Sequence, residues 1–425
     1  MSRLLRLAMA TILLLSAPVV RAHAADPPSP TLEDGRHYVL VLLKLPAQHL
    51  HPNGGYSDSY GDGAYRNERL KFVTRLARQY HLSLVEDWAM PLVGVDCYVL
   101  AVPADQSAEK LADALTHEPG VAWSEPMNAF HALGGTDPRS AAAPDDPLFR
   151  AQPSNQEWRL SDLHQLSTGR AVHVAVVDSM VEATHPDLLG QVDDAADFVT
   201  AHPTRAEHHG TAVAGVIAAR SGNHLGIVGV APGSRLMALR ACWQQAGAGV
   251  TVCDSLALAK AINYAIEHKA QVINLSLSGP TDPLLARLLD VAMTRGVTVV
   301  GAYDRNVPGG GFPANHAGVI AVVDSRPSGA SLGANSAAMA APGRDIPTTQ
   351  VDGHWNFVSG SSYSAAHVSG LVALVKELSP RANASSALVL VRPGGDIDVC
   401  ATLLRVSGPG DSACAHKRTT AAVIR

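Results

Sequence analysis

The sequence predicts an α/β fold, a parallel sheet with helices on both faces, preceded by a small α+β unit. Three observations carry that expectation. First, Val172 to Val177, Leu236 to Ala241, Gln271 to Leu277, Val297 to Ala302 and Val319 to Val323 are predominantly apolar runs, as in strands buried on both faces. Second, helical stretches fall between or after them: Thr211 to Arg220, Ser255 to Lys269, Leu284 to Arg295 and Tyr363 to Leu378. That alternation indicates a covered parallel sheet. Third, residues 37 to 131 follow a different order: strand, helix, strand, strand, helix, strand.

In this first unit, His37 to Leu45 is an apolar β-like run. Glu68 to Tyr80 carries Leu70, Val73, Leu76 and Ala77 at the helical period. Ser83 to Asp87 and Cys97 to Val102 read as strands, Ser107 to His117 as a helix, and Val121 to Glu125 as a closing strand. The βαββαβ order is the ferredoxin-like split motif. Pro52 to Asn67 reads as an irregular insertion. A stretch rich in Gly, Ala and Pro, residues 132 to 147, reads as an exposed, cleavable linker. The large unit spans 148 to 380, and residues 381 to 425 carry no assignable rhythm.

The N-terminus reads as an export signal. Arg3 and Arg6 precede an apolar run from Leu7 to Val20, and Ala22-His23-Ala24 places small residues for cleavage after Ala24. The alternative is a membrane anchor, but about 14 residues fall short of the roughly 20 that span a bilayer. Residues 1 to 24 are therefore expected to be removed, with the protein extracellular or periplasmic. A net charge of −5 offers no basic face for nucleic acid or anionic lipid. Export gives the five cysteines meaning. Cys242 and Cys253 flank a Gly-rich turn, Cys400 and Cys414 flank a Gly/Pro turn, and Cys97 is left over. Two local disulfides are expected, with buried free thiols as the alternative.

Three residues carry the chemistry. Asp178 ends the strand Val172 to Val177, where sites of open parallel sheets lie. His209 opens His-Gly-Thr-Ala-Val-Ala-Gly, so its imidazole stands at a helix start facing the strand ends, whereas the adjacent His208 reads as a surface residue. Ser362 lies in Gly-Ser-Ser-Tyr-Ser-Ala-Ala-His-Val-Ser-Gly, Gly360 to Gly370, entering an apolar helix. There its own N–H can stabilise a developing oxyanion. A serine hydroxyl needs a base, and the base needs a group that fixes its tautomer. The order Asp, His, Ser differs from that of the α/β-hydrolases, and no Gly-x-Ser-x-Gly elbow precedes a late His.

Residues 174 to 188, His209 to Gly215 and Gly360 to Gly370 resemble the aspartate, histidine and serine motifs of the subtilisin-like (subtilase) serine peptidases. Gly226 to Pro232 and Val272 to Gly279 match further motifs. The resemblance covers about Asp146 to Pro380 and implies a secreted endopeptidase with the triad Asp178, His209 and Ser362. It implies that Ser276, Leu277 and Ser278 contact the substrate, and that residues 37 to 131 form an inhibitory prodomain acting on its own chain. Protein or peptide substrates, a self-processing precursor and a monomer follow from the same likeness. Met180, Ser361 and Ala366 depart from the motifs in packing positions. The second oxyanion donor, an Asn in the family, is less clear: Arg305 falls there without a gap, and a one-residue shift brings in Asp304 or Asn306. That departure leaves open a second reading, a weak or silent subtilase fold that binds peptides as a scaffold. No cofactor is required for catalysis. Structural calcium at Asp193 to Asp197 or Gly222-Asn223 is left open, because no ligand run with a recognisable spacing exists. The scattered histidines, with no His-Glu-x-x-His, argue against zinc.

Overall fold

The computed structural model describes residues 37–45, 59–133, 135–140, 146–200, 202–245, 250–325, 338–391 and 395–407. The expected signal segment and Cys414 lie outside the described residues. The N-terminal unit contains β1 (His37–Lys44), α1 (Ser59–Gln79), β2 (Ser83–Met90), β3 (Val95–Val102), α2 (Ala108–Thr116) and β4 (Trp123–Pro126). Its sheet is antiparallel in the order β2-β3-β1-β4, as the βαββαβ pattern requires. The β1 interior is apolar throughout because both of its faces are covered. Val39, Val41 and Leu43 pack with α1 and α2, while Leu40 and Leu42 join Cys97 and Trp123 against the large unit. α1 begins inside the stretch expected to be an irregular loop. Arg66 and Arg69 tie this early part of the helix to Asp87 at 2.5 Å and Asp96 at 2.6 Å.

After β5 (Ala129–Ala132) and β6 (Gly135–Ser140), two short helices, α3 (Pro153–Trp158) and α4 (Leu160–Leu163), lead into the main sheet. That sheet uses β7 (His173–Asp178), β8 (Val192–Asp197), β9 (Arg235–Arg240), β12 (Val272–Leu275), β14 (Thr298–Ala302), β15 (Ile320–Asp324) and β16 (Met339–Ala341). Their order is β16-β15-β14-β12-β7-β9-β8, all parallel. Alternate residues of β7 serve opposite cores. Val174 and Val176 share one core with α5 (His208–Ala218) and α8 (Ser361–Leu378), while Ala175 and Val177 share the other with α6 (Ser255–Glu267) and α7 (Pro283–Thr294). The segment Asp193 to Asp197, read from sequence as a loop, is part of the edge strand β8, whose alternating exposure suits a sheet edge.

Short strands flank the main sheet: β10 (Cys242–Gln244), β11 (Thr251–Asp254), β13 (Leu277–Ser278), β17 (Ile346–Gln350) and β18 (His354–Ser359). The large core extends past residue 380. There α9 (Ala384–Ala387) and α10 (Val399–Ser407) bury Leu388, Val399 and Leu403 in the same cluster as α8. Cys242 and Cys253 form the first expected disulfide. Cys97 is a buried free thiol, and Cys400 is disulfide-bonded.

The two units meet at the N-termini of α6 and α7. Asp254 caps α6 by accepting the Ala257 N–H, and Asp282 caps α7 by accepting the Leu285 N–H. Asn128 donates its backbone N–H to Ser255 Oγ and its side-chain amide to Asp282. Glu125 of β4 is buried beside them, accepting the Leu284 N–H at 3.3 Å and Trp123 Nε1 at 3.2 Å. Burial, with the nearby Asp282 carboxylate second, pushes the Glu125 carboxyl up to about 9. The Lys260–Glu86 pair and Arg287, stacked on Trp123, are the charges flanking this contact.

Docking of the N-terminal unit therefore takes up a proton at Glu125. The docked value lies above the ordinary 4.5 of the free carboxyl, so this contribution is complete below pH 4.5 and is lost as pH rises towards 9. Thermal unfolding of the full chain should show the N-terminal unit loosening from pH 5 to 9. Glu125→Gln should flatten that dependence, and an unchanged slope in the variant would contradict the assignment.

Candidate active site

Asp178 ends β7 with its carboxylate buried, and its own carbonyl accepts the Ala241 N–H just beyond β9. Asp178 Oδ1 accepts the Ser179 N–H at 2.7 Å and lies 2.7 Å from His209 Nδ1. Two donors on one oxygen fix the carboxylate, and the imidazole is thereby held with Nδ1 towards Asp178 and Nε2 away from it. His209 can reach that position because the next residue has no side chain. A Cβ on Gly210 would stand 2.1 Å from the Ser179 carbonyl oxygen, while the Gly210 N–H donates to Ser179 Oγ at 3.0 Å. His208, expected at the surface, is half-buried, with Nδ1 2.7 Å from Gln350 Oε1.

Ser362 occupies the first turn of α8. The chain enters that helix through Gly360 at φ 151°, ψ 158°, a region closed to residues with a side chain. Behind the serine runs a buried chain of hydrogen bonds. Ser369 Oγ donates to Asn274 Oδ1, Asn274 Nδ2 to Ser276 Oγ, and Ser276 Oγ to the Ser362 carbonyl, each at 2.9 Å. The Ser362 hydroxyl donates to the Ser276 carbonyl at 2.9 Å. His209 Nε2 is buried without a hydrogen-bond partner among the described residues, and the His209 and Tyr363 rings lie 5.7 Å apart. The histidine of the serine motif, His367, is pushed down to about 4 by burial and is neutral at physiological pH.

A segment of the same chain fills the cleft beside these groups. β5 lies between β11 and β13, antiparallel to both, with Phe130 opposite Cys253, His131 opposite Ser278, and Ala132 opposite Leu277. Leu133 follows. Its carbonyl accepts the Ser362 backbone N–H at 3.0 Å, and its own N–H donates to Ser362 Oγ at 2.9 Å. β6 then pairs antiparallel with β18, which leads into Gly360 and Ser362. Ser276, Leu277 and Ser278 thus line the cleft as backbone partners of residues 131 to 133. Phe130 is fully buried against Phe312 and Gly279, where a Cβ would meet its ring at 2.2 Å.

The structure does not bring either expected oxyanion side chain to the Leu133 carbonyl. Asp304 Oδ1 instead accepts the Asn306 N–H, closing a tight turn, and Asn306 is exposed. Arg305 is drawn to Asp324 through Nε at 3.1 Å and Nη2 at 2.8 Å. The carboxylates and amide left open for calcium have protein partners. Asp193 meets Arg235, Asp197 accepts from Arg240 and Thr204, and Asn223 Oδ1 accepts the Leu225 N–H at 3.0 Å. Sequence reasoning missed Leu133, although it lies in the predicted linker, and missed Asn274 and Ser369, although both lie inside quoted motifs.

A family model described as the subtilase family matches residues 169–392. The chain is 32% identical over 242 residues to thermitase of Thermoactinomyces vulgaris, covering 55% of this chain and 85% of that one. It is 31% identical over 286 residues to subtilisin E of Bacillus subtilis (strain 168), covering 64% and 69%. The chain belongs to the subtilase family. A further relative, the thermophilic serine proteinase of Bacillus sp. (strain AK1), is 35% identical over 281 residues, covering 63% of this chain and 66% of the relative. Fervidolysin from Fervidobacterium pennivorans, described as a keratinolytic enzyme related to subtilisin, superposes with a TM-score of 0.64 at 22% identity. That match covers 88% of this chain and 61% of fervidolysin, a likeness of fold alone.

In this subtilase, Gly210→Ala should force the turn at Ser179 apart. Overpacking of that kind costs about 1–3 kcal/mol. A lowered melting temperature, with His209 displaced from Asp178, is the expected outcome. A variant that melts like the parent would show that the contact is dispensable.

Proposed function

We propose that this subtilase is an exported serine endopeptidase whose first substrate is its own chain, cut between Leu133 and Gly134. The observation that carries the reading is the Leu133 carbonyl resting on the Ser362 N–H, with strands on either side of the bond paired to the cleft. Residues 37 to 133 would then act as the inhibitory prodomain, leaving their last five residues between β11 and β13 after the cut.

In the reaction, Ser362 Oγ leaves the Ser276 carbonyl by rotating about its Cα–Cβ bond and hands its proton to His209 Nε2. The oxygen bonds to the Leu133 carbonyl carbon, and Asp178 stabilises the imidazolium. Collapse of the tetrahedral intermediate breaks the bond to Gly134, whose nitrogen takes the proton from His209. Water, deprotonated by the same imidazole, then releases Leu133 from Ser362. The nascent oxyanion receives the Ser362 N–H and the positive end of α8. Loss of a second donor from such a site costs about 10²–10³-fold in kcat, so turnover is expected to be slow for this kind of site. Substrates are proteins or peptides bound as extended strands, with Leu accepted before the scissile bond and an aromatic residue three positions earlier, as in Phe130 to Leu133.

The unpartnered His209 Nε2 and the displaced Arg305 favour one competing reading, a silent fold that only holds peptides. Export of the unmutated precursor beside Ser362→Ala separates the two. A new N-terminus at Gly134 in the unmutated chain alone supports processing, and Asp178→Asn should slow it by about 10⁴-fold. An uncut precursor that a serine-directed organophosphorus probe fails to label would leave the binding reading standing.

A further inference from the structure

The strand in the cleft runs between two rails of unequal support. β13 continues the central strand β12 through Ser276, and both of its residues are buried. β11 is anchored at one end, where Asp254 runs directly into α6. Its outer neighbour is β10, three residues long, which follows β9 after Ala241, and beyond the last rung the Gln245 N–H donates to the Val250 carbonyl at 2.8 Å. A two-stranded ribbon with three rungs is marginal by itself. This ribbon is cross-linked: Cys242 and Cys253 face each other with Cα atoms 4.1 Å apart and are joined as a disulfide.

The position of the link matters. On its other side Cys253 pairs with Phe130, the most deeply buried residue of the docked strand. Cys242 follows Ala241, whose N–H donates to the carbonyl of Asp178. One disulfide thus connects the rung that receives Phe130 to the strand end that carries the aspartate. A shorter substrate, ending before the Phe130 position, never meets this rung.

We propose that the Cys242–Cys253 disulfide is a specificity-determining element that keeps the β11 rail ordered, so that the cleft selects chains filling four or more positions before the scissile bond. The inference rests on the peptidase reading above. Without the link, an extended substrate must order β11 as it binds, and that ordering opposes the backbone hydrogen bonds it gains.

The test compares the full-length, self-processed enzyme with its Cys242→Ala/Cys253→Ala double variant, with rates normalised to sites titrated by an organophosphonate. Two substrates are used: a peptide containing Ala-Phe-His-Ala-Leu before the cut, and an acylated leucine ester that occupies only the position of Leu133. The expected result is a rise of about tenfold in KM for the peptide, from one or two weakened backbone hydrogen bonds, with the ester changed less than twofold. Equal losses on both substrates, or no loss on either, would overturn the proposal. Should the double variant not fold, the same comparison before and after reduction and thiol capping decides it by the same criteria, made on a Cys400→Ala enzyme so that loss of the Cys400 disulfide does not enter the difference. An unmutated enzyme inert on both substrates would overturn the peptidase reading itself.

Discussion

The backbone N–H of Ser362 is the point on which the rest of the cleft depends. An amide can stabilise charge only if its direction is fixed, and here three constraints fix it. Gly360 supplies a backbone conformation that no other residue adopts cheaply, turning the chain from β18 into α8. The Ser369–Asn274–Ser276 chain holds the Ser362 carbonyl from behind. The Leu133 carbonyl, arriving from the front, occupies the site where an oxyanion would form. Each constraint is a buried hydrogen bond or a steric exclusion, so the arrangement tolerates little drift. Asp178 and His209 are fixed independently, by the strand end and by Gly210, which keeps the two halves of the machinery separately rigid.

Docking of the N-terminal unit works against a cost. Its sheet covers apolar surface on α6 and α7, but the contact also places Glu125 next to Asp282 at two helix N-termini. Helix amides favour negative charge there, and the Leu284 N–H points at Glu125. One carboxylate suits that field, while a second must be desolvated beside the first. Burial dominates, and Glu125 is held protonated. The interface is thus apolar in bulk and electrostatically tense at one point.

Much of this was legible in the sequence, for identifiable reasons. The parallel sheet announced itself because its central strands are buried on both faces and read as predominantly apolar runs. Asp178, His209 and Ser362 stood out because each sits at an element boundary marked by glycine or small residues that the geometry demands. The Cys242–Cys253 pair was readable from its short spacing around a turn. Other features were not. Ala129 to Leu133 has no strand pattern of its own, and its extended form comes entirely from two partners more than a hundred residues away. The start of α1 was hidden by Gly61 and Gly63, poor helix formers overridden by ion pairs to the sheet. The helix Val399–Ser407 was passed over because its apolar face is short, yet Val399 and Leu403 complete the core beneath α8.

The oxyanion segment shows most clearly where spacing fails as a guide. Counting residues brought Arg305 to the donor position, and a shift of one brought Asp304 or Asn306. None of the three reaches the Leu133 carbonyl, and the reason is electrostatic. Asp324, at the end of β15, binds both Arg305 and Arg344, and a charge-assisted pair in a partly buried site outweighs a single contact to a neutral carbonyl. Asp304 accepts the Asn306 N–H within its own turn. The carbonyl in the cleft is left with the Ser362 amide and the α8 dipole. A developing oxyanion carries more charge than a ground-state carbonyl and would compete more strongly for Arg305, but it would have to break two bonds to Asp324 to win it. The same carboxylate that stabilises this turn therefore sets a limit on how far the site can stabilise its transition state.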